Sequence, residues 1–131
     1  MKIETTIEVA DEDIECLLSC AFEGGSNYWY WNLEPATFPP GRTEADFEYW
    51  HLQVPLAPGG SLKFEDQEEP HEAALNPDGM YHLDRDKLFR GLHIMMKDYP
   101  RHWSDFIQEN TDAYTGDCFL QCCIFGEVLY G

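Results

Sequence analysis

Paired cysteines are the residues of this 131-residue chain whose spacing first suggests chemistry. Cys16 and Cys20 lie four positions apart, and Cys118 and Cys122 repeat that spacing near the end. Two such pairs, each on one helix face, would supply the four sulfurs of a tetrahedral zinc site. The common zinc signatures, however, place paired cysteines on a turn, and cysteine is often buried for packing reasons alone. We therefore expect five reduced thiols, no disulfide framework and no metal.

Catalytic motifs are not apparent among the other reactive side chains. The five histidines show no ligand pairing and stand in no nucleophile motif. The segment Asn76-Pro77-Asp78-Gly79 lacks the alternating oxygen ligands of a calcium loop. Carboxylate pairs are plentiful, but an acidic chain offers them without any perturbed pKa. The sequence therefore predicts a protein that is not an enzyme, has no catalytic residues and needs no cofactor.

Net charge is the strongest functional signal. The chain has 25 Asp and Glu against 8 Lys and Arg, for a formal net charge of -17. At about one charge per 1.7 Å of duplex axis, this equals the charge on about 29 Å of DNA. Such a surplus disfavours direct binding to nucleic acid or to anionic membranes and favours a basic protein partner. A salt-adapted proteome is an alternative source of acidity, but the richness in Trp, Phe and Cys argues against it.

Three acidic clusters are the candidate partner-binding groups, in which carboxylates would stand in for phosphates and occupy the Arg and Lys sites of a nucleic-acid channel. A competing interpretation is a solvated surface that only keeps the protein soluble. The clusters comprise Asp11, Glu12, Asp13 and Glu15 at a predicted helix start; Glu44, Asp46 and Glu48 at a predicted strand start; and Glu65, Asp66, Glu68, Glu69 and Glu72 at a predicted hairpin loop.

Secondary structure in the first half follows from residue periodicity. Residues 2–9 alternate between polar and apolar, which predicts a half-buried strand. Asp11 is expected to cap a helix that ends at Gly24-Gly25. A strand beginning near Tyr28 should place Trp29 and Trp31 together in the core. Residues 35–45 are predicted to form a loop, and residues 47–54 a strand.

In the second half, residues 62–65 and 80–83 predict a hairpin with a long acidic loop. Asp84 is expected to cap the next helix, which Pro100 interrupts before a short helix containing Trp103. Asp117 is expected to cap a last helix that ends at Gly126, followed by a strand over residues 127–130.

This order of elements predicts a single α+β domain over residues 1–131, with a curved, mainly antiparallel sheet and helices on one face. The 44% hydrophobic content is sufficient for a real core despite the charge. No secretory signal is apparent at the start, and no apolar run approaches the roughly 20 residues of a membrane-spanning helix.

Several motifs resemble those of small, acidic, functionally unassigned proteins encoded by bacteriophages and other mobile elements. The similar stretches are Asp13-Ile14 through Gly24-Gly25 to Tyr28-Trp29, Gly59 to Phe64, Leu88 to Leu92, and Cys118 through Phe125-Gly126-Glu127 to Tyr130-Gly131. Residues 32–58 and 66–77 share no such similarity. The resemblance implies a viral or mobile-element origin and the host cytoplasm as the place of action. It supplies no catalytic residues.

Charge and resemblance together suggest a phage-encoded inhibitor of a host defence system, of the anti-CRISPR or anti-restriction type. It would act as a nucleic-acid mimic and block a basic DNA- or RNA-binding surface. The alternative is a small protein–protein interaction module of the phage, in which exposed aromatic residues dock a partner and the charge serves only solubility. Tyr28, Tyr30 and Tyr49 are the candidates for that aromatic surface.

Overall fold

The computed structural model describes residues 1–131, and its sheet has three antiparallel strands. Strand β1 (Tyr30–Thr37) pairs with β2 (Ser61–Asp66), which pairs with β3 (Tyr81–Asp84), so β2 is central. Leu62 lies opposite Leu83 and Phe64 opposite Tyr81, and all four side chains are buried. This face of β2 and β3 therefore belongs to the core.

Five helices pack with this sheet: α1 (Asp11–Cys20), α2 (Trp50–Gln53), α3 (Arg85–Asp98), α4 (Pro100–Ile107) and α5 (Ala113–Phe125). A wide turn over Ala21–Gly25 extends α1. Helix α5 contacts α1, α3, α4 and β3, and nine of its 13 residues are buried. A helix that is apolar on every side belongs in an interior, and α5 is accordingly the central element of the fold. The longest helix has 14 residues, and none combines the length and apolar character needed to span a bilayer.

The predicted fold class is confirmed: the chain is one α+β domain with an antiparallel sheet. The first helix and the hairpin of β2 and β3 form where the sequence indicated. Asp84 caps α3, because its carboxylate accepts a hydrogen bond of 3.0 Å from the Lys87 backbone N–H. Gly126 ends α5 in the left-handed conformation at φ 77°, which suits a residue without Cβ.

The predicted strand over residues 2–9 is wrong. These residues form no regular structure, and Ile3 and Ile7 keep 79% and 48% of their surface exposed. Alternation predicts which side chains would share a face, but a strand also needs a neighbour to accept its backbone hydrogen bonds. Only Val9 packs against the core, next to the start of α1.

Two further strand predictions are also wrong. Residues 47–54 contain the single-turn helix α2, which packs Trp50 and Leu52 against the core and is followed by buried Val54. An apolar run this short fits a helical turn as well as a strand. Residues 127–130 make no strand either, because Gln121 accepts the backbone N–H groups of Leu129 and Tyr130 in place of a neighbouring strand.

Boundary errors account for the remaining differences. Strand β1 continues through Pro35 to Thr37, within the segment predicted to be a loop. Trp29 is fully buried, but it lies in a turn before β1. The alternation of a strand therefore does not place Trp31 on the same face as Trp29. Trp31 is 63% exposed and pairs across the sheet with Glu65.

Candidate functional site

Four of the eight basic side chains donate to backbone carbonyls. The Arg85 guanidinium donates to the Leu56 carbonyl, and Lys87 donates to the His82 carbonyl at 2.6 Å. Arg90 donates to the Cys123 and Ile124 carbonyls at the end of α5. Each contact satisfies a polar group that the fold would otherwise leave unpaired. Half-buried Lys87 has its pKa lowered by desolvation, which marks it as a structural group.

Carboxylates are consequently left without cationic partners. Lys63 and Glu34, 3.5 Å apart, form the one ion pair between a carboxylate and a Lys or Arg side chain. The other two pairs involve histidines, His51 with Glu23 and His82 with Asp78. The net charge of -17 is therefore not neutralised by internal pairing but is presented to solvent.

The first two predicted clusters meet in one place, which we call the acidic groove. It has a volume of about 570 Å³ and lies between the start of α1 and the loop that carries residues 44–48. Two basic side chains, Arg42 and Arg85, also line it, and each guanidinium lies over a Phe ring, at 4.2 and 4.8 Å from the ring centroid. The carboxylates that line the groove are Asp11, Glu12, Glu15, Asp46 and Glu48.

Neighbouring carboxylates repel one another within this groove. Burial raises the pKa of Glu15, and the neighbouring carboxylates of Glu12 and Asp11 raise it further. A carboxylate whose ionisation is opposed by acidic neighbours as well as by burial lies in a region of negative potential. A cation brought to the groove would therefore be attracted by several carboxylates at once.

Two residues of these clusters do not line the groove. Asp13 accepts a 3.1 Å hydrogen bond from the Ala10 backbone N–H and so stabilises the start of α1, whose cap position is Ala10 and not the predicted Asp11. Glu44 is exposed at the beginning of a single 3-10 turn. Both add to the negative surface near the groove.

The third predicted cluster lies apart from the acidic groove, at the opposite end of β2 from the turn whose Ala57 and Pro58 line that groove. Asp66 is committed to the fold, because it accepts hydrogen bonds from the hydroxyls of Tyr81 and Tyr130 at 2.7 and 2.8 Å. Glu65 accepts from Asn32 at 3.0 Å. Three acids of the cluster remain exposed and make no side-chain hydrogen bond: Glu68, Glu69 and Glu72.

Sequence analysis missed the most connected carboxylate, Asp117, which it had assigned as a helix cap. The true cap is Asp112, which accepts from the Thr115 backbone N–H at 2.9 Å. Asp117 lies one turn further into α5, where one carboxylate oxygen accepts from Ser26 and from the Trp29 indole, each at 2.7 Å. Its other oxygen accepts at 2.6 Å from Tyr28 and at 3.1 Å from Gln121.

The four paired cysteines are not arranged as a metal site. Cys16 is exposed and Cys20 half-buried, whereas Cys118 and Cys122 are buried inside α5. No group of three or more His, Cys, Asp or Glu side chains has the geometry to hold a metal ion. Hydrogen bonding to Cys118 and burial raise the pKa of the Cys122 thiol, so Cys122 is a protonated packing residue at neutral pH.

The tyrosines that donate hydrogen bonds to Asp117 and Asp66 are expected to make the stability of the fold depend on pH. Burial, together with the adjoining carboxylate, raises the pKa of Tyr28, Tyr81 and Tyr130 above the ordinary value of about 10. A raised folded-state pKa contributes stability that is complete below about pH 10 and is lost as the pH rises further. We expect these three phenols to ionise only as the protein unfolds in alkali.

Ultraviolet absorbance of the phenolates, measured alongside circular dichroism, checks this expectation. The Tyr130→Phe variant should lose part of the absorbance change that accompanies unfolding. Phenolate absorbance that reaches its full value with no loss of structure would contradict it.

Comparison with known proteins gives no family for this arrangement: no family model matches the chain, and no curated protein or solved structure is significantly similar to it.

Proposed function

We propose that this protein is a phage-encoded inhibitor of a host defence system, of the anti-CRISPR or anti-restriction type, that acts in the host cytoplasm. It binds a basic DNA- or RNA-binding surface of a host protein or complex and occupies it in place of nucleic acid. The single observation that carries the proposal is the lack of internal neutralisation: 25 acids face 8 bases, and one Lys–Glu pair is formed. No chemical step is needed for this activity.

Charge placement supports this mechanism over a purely solubilising role. A nucleic-acid channel presents Lys and Arg at phosphate spacing, and a ligand that carries fixed carboxylates can occupy these positions without the cost of deforming a duplex. In the acidic groove, five carboxylates from α1 and from the loop of residues 44–48 line one depression. A surface evolved only for solubility has no need to gather charges from two separate segments.

The decisive experiment is competition for a nucleic-acid site. A panel of purified CRISPR effector complexes and restriction enzymes is incubated with labelled duplex DNA and increasing amounts of the protein, and DNA release is followed by gel shift. We expect release from at least one enzyme and an affinity that falls steeply as salt rises. Failure to displace DNA from any member of a broad panel, even at low salt, would count against the proposal.

Charge reversal in the acidic groove tests its role as the contact. The triple variant Glu12→Lys, Glu15→Lys and Glu48→Lys is expected to raise the concentration needed for release by at least about ten-fold, chiefly through slower association. The matched control reverses three exposed acids outside the groove, Asp98, Glu109 and Glu127, and changes the net charge equally. Equal losses in both variants would show that only total charge matters and that the acidic groove is not the contact.

A further inference from the structure

A second depression, which we call the tyrosine cleft, lies on the part of the molecule built from α4, α5 and the chain end. Its volume is about 520 Å³, within the range of small-molecule sites. A neighbouring depression of about 620 Å³ shares three of its lining residues, Tyr99, His102 and Tyr114. The two depressions therefore adjoin at an aromatic wall. None of the residues of the acidic groove lines either one.

Hydrogen bonds hold most of this wall in place. The Tyr28 hydroxyl donates to Asp117 at 2.6 Å, and the Tyr99 hydroxyl accepts from the Val128 backbone N–H at 2.7 Å. The His102 ring is held at 3.0 Å from the Thr115 hydroxyl. Tyr114 differs, because it is 79% exposed and makes no hydrogen bond through its side chain. The cleft thus combines fixed aromatic groups with one that a ligand can order.

The charges around the cleft are almost all negative. Arg101 is the one Lys or Arg side chain that lines either depression. Asp117 is already saturated by four donors, but Asp98 and Asp105 accept no side-chain hydrogen bond and line the adjoining depression. Aromatic rings attract a cation through their negative faces, and nearby carboxylates add to that attraction. An anionic ligand would be repelled here, and a neutral ligand would gain nothing from the charge.

We propose that the aromatic wall shared by the tyrosine cleft and its neighbouring depression is a binding site for a small organic cation that carries an alkylammonium group. Tyr99 and Tyr114 contact the alkyl groups around the cationic nitrogen, and Asp98 and Asp105 supply the opposite charge. The site is separate from the acidic groove, so it stands or falls independently of the inhibitor function.

Calorimetric titration of the full-length protein with choline tests this site. The comparison ligand is dimethylbutanol, the uncharged isostere in which carbon replaces the quaternary nitrogen. Choline is expected to bind saturably, with one ligand per chain, and at least about ten-fold more tightly than the alcohol. Equal affinity for the two ligands overturns the proposal. Non-saturating choline uptake that the same concentration of sodium ions abolishes also overturns it, because a diffuse counterion atmosphere behaves in that way.

Two matched pairs of variants locate the site. Tyr114→Ala is expected to weaken choline binding by about five-fold, whereas Tyr49→Ala, which removes an exposed ring elsewhere, leaves it unchanged. Asp105→Asn is expected to weaken it by a few-fold, whereas Asp86→Asn, with the same charge change outside both depressions, has no effect. Equal effects within either pair would overturn the placement of the site at this shared aromatic wall.

Discussion

Replacing Gly116 with alanine is expected to lower the free energy of unfolding by about 3 kcal/mol. An alanine Cβ at this position would lie 2.7 Å from the Cys20 Cβ and 2.8 Å from the Ala21 backbone nitrogen. The second contact is with backbone, so no side-chain rotation relieves it, and α1 and α5 must move apart. In an exposed helix the same change would instead stabilise by about 1 kcal/mol. Urea unfolding with an unchanged m-value measures the loss.

Gly91→Ala is the control that separates a side-chain clash from a backbone clash. Its Cβ would overlap the Cys123 sulfur, while the nearest backbone atom of Cys123 is 3.1 Å away. Adding Cys123→Ala removes that sulfur and should restore part of the stability, whereas Cys20→Ala should restore none to Gly116→Ala. If Gly116→Ala proved as stable as the natural protein, α1 and α5 would not be packed this closely.

The sequence carried enough information for those elements whose ends are fixed by local chemistry. Asp84 offers a side-chain oxygen to the first turn of α3, and Gly126 adopts the left-handed conformation that stops α5. The hairpin of β2 and β3 was readable because Leu62, Phe64, Tyr81 and Leu83 alternate toward one core. In each case a few neighbouring residues determine the outcome.

The elements that could not be predicted depend on contacts with residues distant in the sequence. Residues 2–9 have the period of a strand and no sheet to join. The acidic groove depends on α1 and the loop of residues 44–48 meeting, which no sequence spacing encodes. Asp66 looked like one more loop acid, yet the hydroxyls of Tyr81 and Tyr130 converge on it from distant parts of the chain. Composition therefore indicated how much charge there is, and the fold alone shows which carboxylates remain available.

Asp117 shows this dependence most clearly, because a polar residue placed among apolar neighbours needs partners that the sequence does not identify. Ser26, Tyr28 and Trp29 approach it from the turn before β1, about 90 positions away in the chain. The same turn carries Trp29 into the core, where its ring stacks on Tyr130 at 5.7 Å between centroids. One carboxylate thereby joins α5, the turn before the sheet and the end of the chain.

Removal of this carboxylate is expected to be the more damaging of two matched changes in α5. Asp117→Ala should lower the free energy of unfolding by about 4 kcal/mol, because it leaves the Ser26 hydroxyl and Trp29 indole unpaired in the interior and removes two further hydrogen bonds to a charged group. Asp112→Ala, which removes the same charge from the cap of the same helix, should cost about 1 kcal/mol. Urea unfolding of the two variants at one salt concentration gives the comparison.

The relative size of the two losses of unfolding free energy distinguishes a helix cap from a carboxylate that joins distant segments. If Asp117 served only to start the helix, as its sequence context suggested, its removal would cost no more than a cap does, and Asp112→Ala would cost nothing. Relief of repulsion in a chain of net charge -17 is closely similar in both variants and cancels from the comparison. Tryptophan fluorescence adds a second reading, because Trp29 is the one of the four Trp residues that bonds to Asp117. Asp117→Ala should change the combined emission through loss of the 2.7 Å indole hydrogen bond, whereas Asp112→Ala leaves that bond intact.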